Sequence, residues 1–98
     1  MSAEIVPAHF HELAQPLQVE LPAGSRPARI EMTVEQVLPL PPHRLRAEPF
    51  SLRLRGPREP LLPQATYGVI HPQLGRIELF LVPLRLDAAG SLYEAVFN

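Results

Sequence analysis

Thirteen prolines in 98 residues constrain this chain more than any other feature. Proline holds φ at about −65° and has no N–H to give a helix or ladder. Here the prolines stand at 7, 16, 22 and 27, crowd into 39–49 and 57–63, and recur at 72 and 83. No interval between them suits a long helix. Most are the length of a β-strand and carry a period of two.

Pro7 suits the first position of a helix, and Phe10, Leu13 and Ala14 follow at i, i+3 and i+4, which predicts a short helix over 7–14 that Pro16 ends. Leu17, Val19 and Leu21 alternate with polar residues, as do Ile30, Met32 and Val34. The alternation breaks at Gln36-Val37-Leu38, which predicts a bulge or a strand end. Phe50, Leu52 and Leu54 alternate with Ser51, Arg53 and Arg55. A meander closes the chain, with strands at 65–71, 76–86 and 92–97 and glycine-bearing turns at 71–75 and 87–91. These elements predict one all-β domain over residues 1–98, a six-stranded antiparallel barrel or sandwich with a short leading helix.

The strand at 76–86 is apolar on both sides. Ile77, Leu79 and Leu81 occupy one side, and Phe80, Val82, Leu84 and Leu86 the other. Covering a large aliphatic side chain is worth about 1.5–3 kcal/mol, so both sides are expected to be screened, by this chain or by a partner. Pairing Ile70 with Ile77 sets Ala65 against Val82 and leaves Pro83 just past the end of the 65–71 strand, where its missing donor does no harm. That register puts Ile70, Ile77, Leu81 and Phe97 on one face, and Tyr67, Val69, Phe80, Val82 and Val96 on the other. Phe10 and Leu13, or Leu61 and Leu62, or a second subunit are expected to cover the face that does not form the core.

Composition excludes several classes of function. Zero cysteines leave no disulfide, thiolate or cysteine-ligated metal. A net charge of −1 argues against a strongly basic nucleic-acid binder. No apolar run approaches the roughly 18 residues of a membrane helix, and no basic-then-apolar leader is visible. A cytoplasmic location is expected, or release as part of a particle. All nine basic residues are arginine, a bias in keeping with codon usage.

No constellation points to catalysis. His9 and His11 lie two apart and diverge on a helix, while His43 and His71 sit in a loop and a turn. Ser51, His71 and Asp87 form a triad only on paper, because no strained elbow or oxyanion loop accompanies them. Glu31 and Glu35 alternate out of a strand as a solvated face does. Arg44, Arg46, Arg53, Arg55 and Arg58 make a basic stretch without interleaved aromatics, and a solvated face is expected there too. No cofactor or metal is expected.

The series Phe50-Ser51-Leu52-Arg53-Leu54-Arg55-Gly56-Pro57, Leu62-Pro63-Gln64, His71-Pro72, Leu74-Gly75, Leu79-Phe80-Leu81-Val82-Pro83 and Tyr93-Glu94-Ala95-Val96-Phe97-Asn98 resembles an uncharacterised bacterial domain family of about this length. The likeness extends to 30–35 and Phe10, and departs at Gln15-Pro16, where the family tends to carry glycine. It brings no catalytic residues. It implies a place in or beside a phage-tail-like particle, since such domains are sometimes encoded near tail-collar-like proteins.

Together these features lead to the expectation of a non-catalytic structural or interaction protein that meets a protein partner or its own kind. The candidate interface is Phe10, Leu13, Leu61, Leu62, Phe80, Val82 and Leu84. The competing expectation is a small-ligand-binding β-barrel. Inward Leu, Ile and Phe disfavour it, because they fill a small barrel.

Overall fold

The computed structural model describes residues 5–11, 13–42 and 48–97. Six strands appear in chain order: β1 (Leu17–Glu20), β2 (Arg29–Pro39), β3 (Phe50–Gly56), β4 (Ala65–His71), β5 (Gly75–Asp87) and β6 (Gly90–Phe97). All pair antiparallel and close into a barrel in the order β1-β2-β3-β6-β5-β4. β1 and β4 complete the ring through Gln18–Ile70 and Val19–Val69. The two long strands turn the corners. β2 pairs with β1 through its first half and with β3 through its second, and β5 does the same with β4 and β6.

Inward side chains from every strand fill the barrel. Leu17, Val19, Met32, Phe50, Leu52, Leu54, Val69, Leu81 and Tyr93 are fully buried, and Ile30, Tyr67, Leu79, Ala95 and Phe97 nearly so. The expected alternation therefore holds on β1, on the first half of β2 and on β3. The break at 36–38 is a bulge, with the β2–β3 register slipping between Val34 and Gln36.

Two expectations need correction. The segment 7–14 forms only a single 3-10 turn at Pro7–His9, although residue 12 lies outside the described residues. Phe10 is drawn into the end of the barrel, 1% exposed, against Phe50 and Phe97. The turn is closed by the side chain of His9, whose Nδ1 accepts the Val6 N–H. A helix continuing past it would swing Phe10 off this end.

The second correction is a one-residue slip. Val69, not Ile70, pairs with Ile77, and Ala65 pairs with Leu81. The turn is the three-residue loop 72–74 closing on His71 and Gly75, with Gly75 at φ 75°. Because side chains alternate, the slip exchanges the faces of β4. Tyr67 and Val69 point inward with Leu79, Leu81 and Phe97, while Ile70 points outward. Pro83 does lie beyond the end of β4, opposite Tyr93 and beside a second bulge between Pro83 and Arg85.

The two bulges reveal an internal symmetry. Exchanging β1, β2 and β3 with β4, β5 and β6 maps the strand order onto itself. Registers map as well. Leu17–Met32 corresponds to Ala65–Leu81, Thr33–Arg55 to Val82–Glu94, and Gln36–Arg53 to Arg85–Leu92. The pair Leu54–Tyr93 maps onto itself and marks the pseudo-two-fold axis. Glu31 thus corresponds to Phe80, Thr33 to Val82, and Glu35 to Leu84.

Candidate interaction face

The symmetry supplies an internal comparison for the outward side of β5. On β2, outward Glu31 accepts a hydrogen bond from Gln18 Nε2 at 3.1 Å. Glu35 is gripped by Arg55, whose Nε and Nη2 donate to its two oxygens at 3.0 and 3.1 Å. At the equivalent places β5 carries Phe80, 50% exposed, and Leu84, 38% exposed, with half-buried Val82 between them. Phe80 is paired with Thr66 as Glu31 is paired with Gln18. Val96 on β6 adds a further exposed apolar side chain, 48% accessible. Barrel closure needs no grease at these positions, since the other half of the molecule closes with carboxylates there.

The candidate interface residues therefore separate. Phe80, Val82 and Leu84 share the outward side of β5, and Leu61 is exposed on the loop after β3. Phe10 and Leu62 are core residues, so neither offers a surface to a partner. Leu62 is held inward because its N–H donates to the buried Tyr93 hydroxyl at 2.9 Å. One turn on, the Tyr67 hydroxyl donates to the Pro63 carbonyl at 2.6 Å, and burial raises the Tyr67 pKa. Leu13 packs half-buried against the core. The expectation that 76–86 is screened on both sides fails for this chain alone: it pairs with β4 through its first half and β6 through its second and packs inward, but is bare outward. The sequence places Val96 on the face of Phe80 and Val82 without counting it as interface; that shared parity is the available signal.

Several of the polar residues weighed in the sequence are engaged within the chain. His71 is buried, and its Nδ1 accepts the N–H groups of Gln73 and Leu74 at 3.0 and 3.1 Å. That leaves Nε2 protonated, and it donates to the His9 carbonyl at 2.6 Å. Asp87 is taken by Arg55 Nη1 at 2.7 Å, and Ser51 is buried on β3. Arg55, hydrogen-bonded foremost, holds the Asp87 carboxyl below its ordinary value, helped by the Ala89 N–H and Arg85. Asp87 and Glu35 in turn raise the Arg55 pKa. Arg53 pairs with Glu94 at 3.2 Å, and Arg58 donates to the Asp87 carbonyl. Three members of the basic stretch are thus committed within the chain. Arg44, Arg46 and His43 lie outside the described residues.

No metal-sized cluster of His, Cys, Asp and Glu occurs among the described residues. The surface does carry clefts, one of about 240 Å³ beside Phe10, Leu13 and Val34, and one of about 370 Å³ over Gly68 between Tyr67 and Arg76. Both open to the surface. No described helix is long and apolar enough to cross a membrane.

Residues 6–97 match a family described as a domain of unknown function, DUF6916. The chain belongs to the DUF6916 family. No curated protein and no solved structure matches it. The family match covers every strand of the barrel and the Pro7–His9 turn, so the outward stripe lies wholly within the DUF6916 domain.

Proposed function

We propose that this DUF6916 domain is a non-catalytic interaction module that docks through the outward side of β5. One observation carries the reading: Phe80, Val82 and Leu84 stand where the pseudo-symmetric strand holds Glu31, Thr33 and Glu35. Docking on this outward face is made through side chains. A stripe of half-exposed Phe, Leu and Val suits that task. The finer assignment, an accessory of a phage-tail-like assembly in the cytoplasm or in a released particle, rests on the resemblance carried by the C-terminal half of the sequence.

Photocrosslinking in the producing cell tests both levels. A photoreactive residue at position 80 is expected to capture protein, and the same residue at the equivalent position 31 is not. Absence of adducts at 80 rejects the docking face. Adducts that contain no particle component reject the tail-like assignment alone.

A further inference from the structure

We propose that the leading segment, residues 5–11, is a proton-released plug. It closes one end of the barrel while His9 and His71 are neutral, and leaves when they take up protons. Hydrogen bonding fixes the neutral state. Buried His71 accepts two main-chain N–H groups at Nδ1, from Gln73 at 3.0 Å and Leu74 at 3.1 Å. His9 uses its own Nδ1 in the same way, accepting the Val6 N–H at 3.0 Å. Each bond needs the lone pair that a proton would occupy. Protonation would set N–H against N–H, once at His9 and twice at His71. The two rings also meet edge to face with centroids 6.2 Å apart, so a second charge would be repelled by the first.

The same two residues fasten the plug. His71 Nε2 donates to the His9 carbonyl at 2.6 Å, and its ring stands edge-on to Phe10 at 5.2 Å. Phe10 fills the barrel end against Phe50 at 5.9 Å and Phe97 at 5.6 Å. The main-chain bonds of the Pro7–His9 turn run from His9 to Val6 and from Phe10 to Pro7, so they stay within the segment. The turn can therefore leave without unzipping a strand. Its departure bares Phe50 and Phe97, which stack 4.4 Å apart.

The surrounding charges do not offset the added protons. On the segment, exposed His11 lines a cleft with Pro72 and Gln73. The turn Pro72-Gln73-Leu74 has no titratable side chain, and β3 and β6 present Phe50 and Phe97 to the plug. On β5, exposed Arg76 is bonded to Glu20 at 3.0 Å. Among the described residues no histidine takes part in an ion pair. The seated plug holds no proton on either Nδ1, so release takes protons up and is favoured as pH falls. Each proton multiplies the release equilibrium by up to about tenfold per pH unit.

Nuclear magnetic resonance of the nitrogen-labelled full chain, titrated from about pH 8 to about pH 5, tests this. At the upper end the imidazoles of His9 and His71 should be neutral, with the proton on Nε2. On acidification the amide signals of His9, Phe10, Gln73 and Leu74 should move together to unstructured positions, while those of β3 and β6 hold. His9→Gln should stay seated at about pH 8 and lose up to about tenfold per pH unit from the slope. His71→Gln should make the state of the segment independent of pH over this range. Imidazoles that titrate while the four amides stay fixed overturn the plug, as do imidazoles still neutral at about pH 5. Melting of β3 and β6 along with the segment overturns it too. None of these outcomes bears on docking through β5, so the two readings fail separately.

Discussion

His71 Nε2 donates a hydrogen bond to the main-chain carbonyl of His9 at 2.6 Å, joining residues 62 positions apart. With Nδ1 held by Gln73 and Leu74, one imidazole shapes the β4–β5 turn and moors the segment that carries Phe10 into the barrel. Removing it takes the partner from two turn donors and one acceptor and empties a buried site against Phe10, so His71→Ala should cost about 2–4 kcal/mol in urea unfolding. His9→Ala keeps the carbonyl and loses the Val6 hydrogen bond and an edge contact with the His71 ring at 6.2 Å, so about 1 kcal/mol is expected. Equal losses would contradict the mooring.

Neighbouring residues on β5 should respond in opposite ways. Leu81 is fully buried and Phe80 half exposed. Leu81→Ala should cost about 2–5 kcal/mol by thermal or urea unfolding of dilute protein. Phe80→Ser should stay within about 1 kcal/mol. The reverse ranking would mean that the β4–β5 register had been misassigned.

Two glycines separate backbone strain from collision. Gly24 has φ 88° with open space around it, whereas a Cβ on Gly90, at φ 122°, would overlap the carbonyl oxygen of Gly56. Gly24→Ala is expected to cost about 1–2 kcal/mol from conformation alone. Gly90→Ala should exceed that by about 2 kcal/mol or more, because a backbone atom in the neighbouring strand has to move. Chemical denaturation of the two variants side by side decides it.

Acid should weaken the fold through Asp87. Its pKa is lowered in the folded chain by Arg55 above all, so the unfolded chain takes up the proton more readily. The contribution is whole above the ordinary carboxylate value of 3.8 and is lost as pH falls through the depressed one. Asp87→Asn should lower the melting temperature at pH 7 and flatten its decline below pH about 4. A parallel decline in both proteins would exclude the carboxylate.

Much of the barrel is legible in the sequence because prolines and glycines punctuate it. Strand positions at 50–55 and 65–71 follow from alternation, and the bulge on β2 announces itself as a broken period. The β4–β5 register does not follow from the Ile70–Ile77 match, since after Ile70 a connection of five residues and one of six give equally plausible pairings. The parity of β4 held the answer: Tyr67, Val69 and His71 make a larger set than Thr66, Gly68 and Ile70. Phe10 was misjudged for another reason. Its i, i+3 spacing to Leu13 is indifferent to whether both residues ride on a helix or one of them stoppers a barrel. Long-range acceptors such as the His9 carbonyl leave no trace in composition or period. The outward stripe was visible as grease on both sides of 76–86, but only the matched carboxylates on β2 show that it is not a requirement of the architecture.

The equivalence of the two three-strand halves reaches beyond the stripe. Because exchanging them leaves every neighbour relation unchanged, chain order is not what dictates this shape. A circularly permuted chain, starting with the second meander and finishing with the first, would trace the same closed path. The outer surface of each half is therefore free to diverge under its own selection while a common interior architecture is retained.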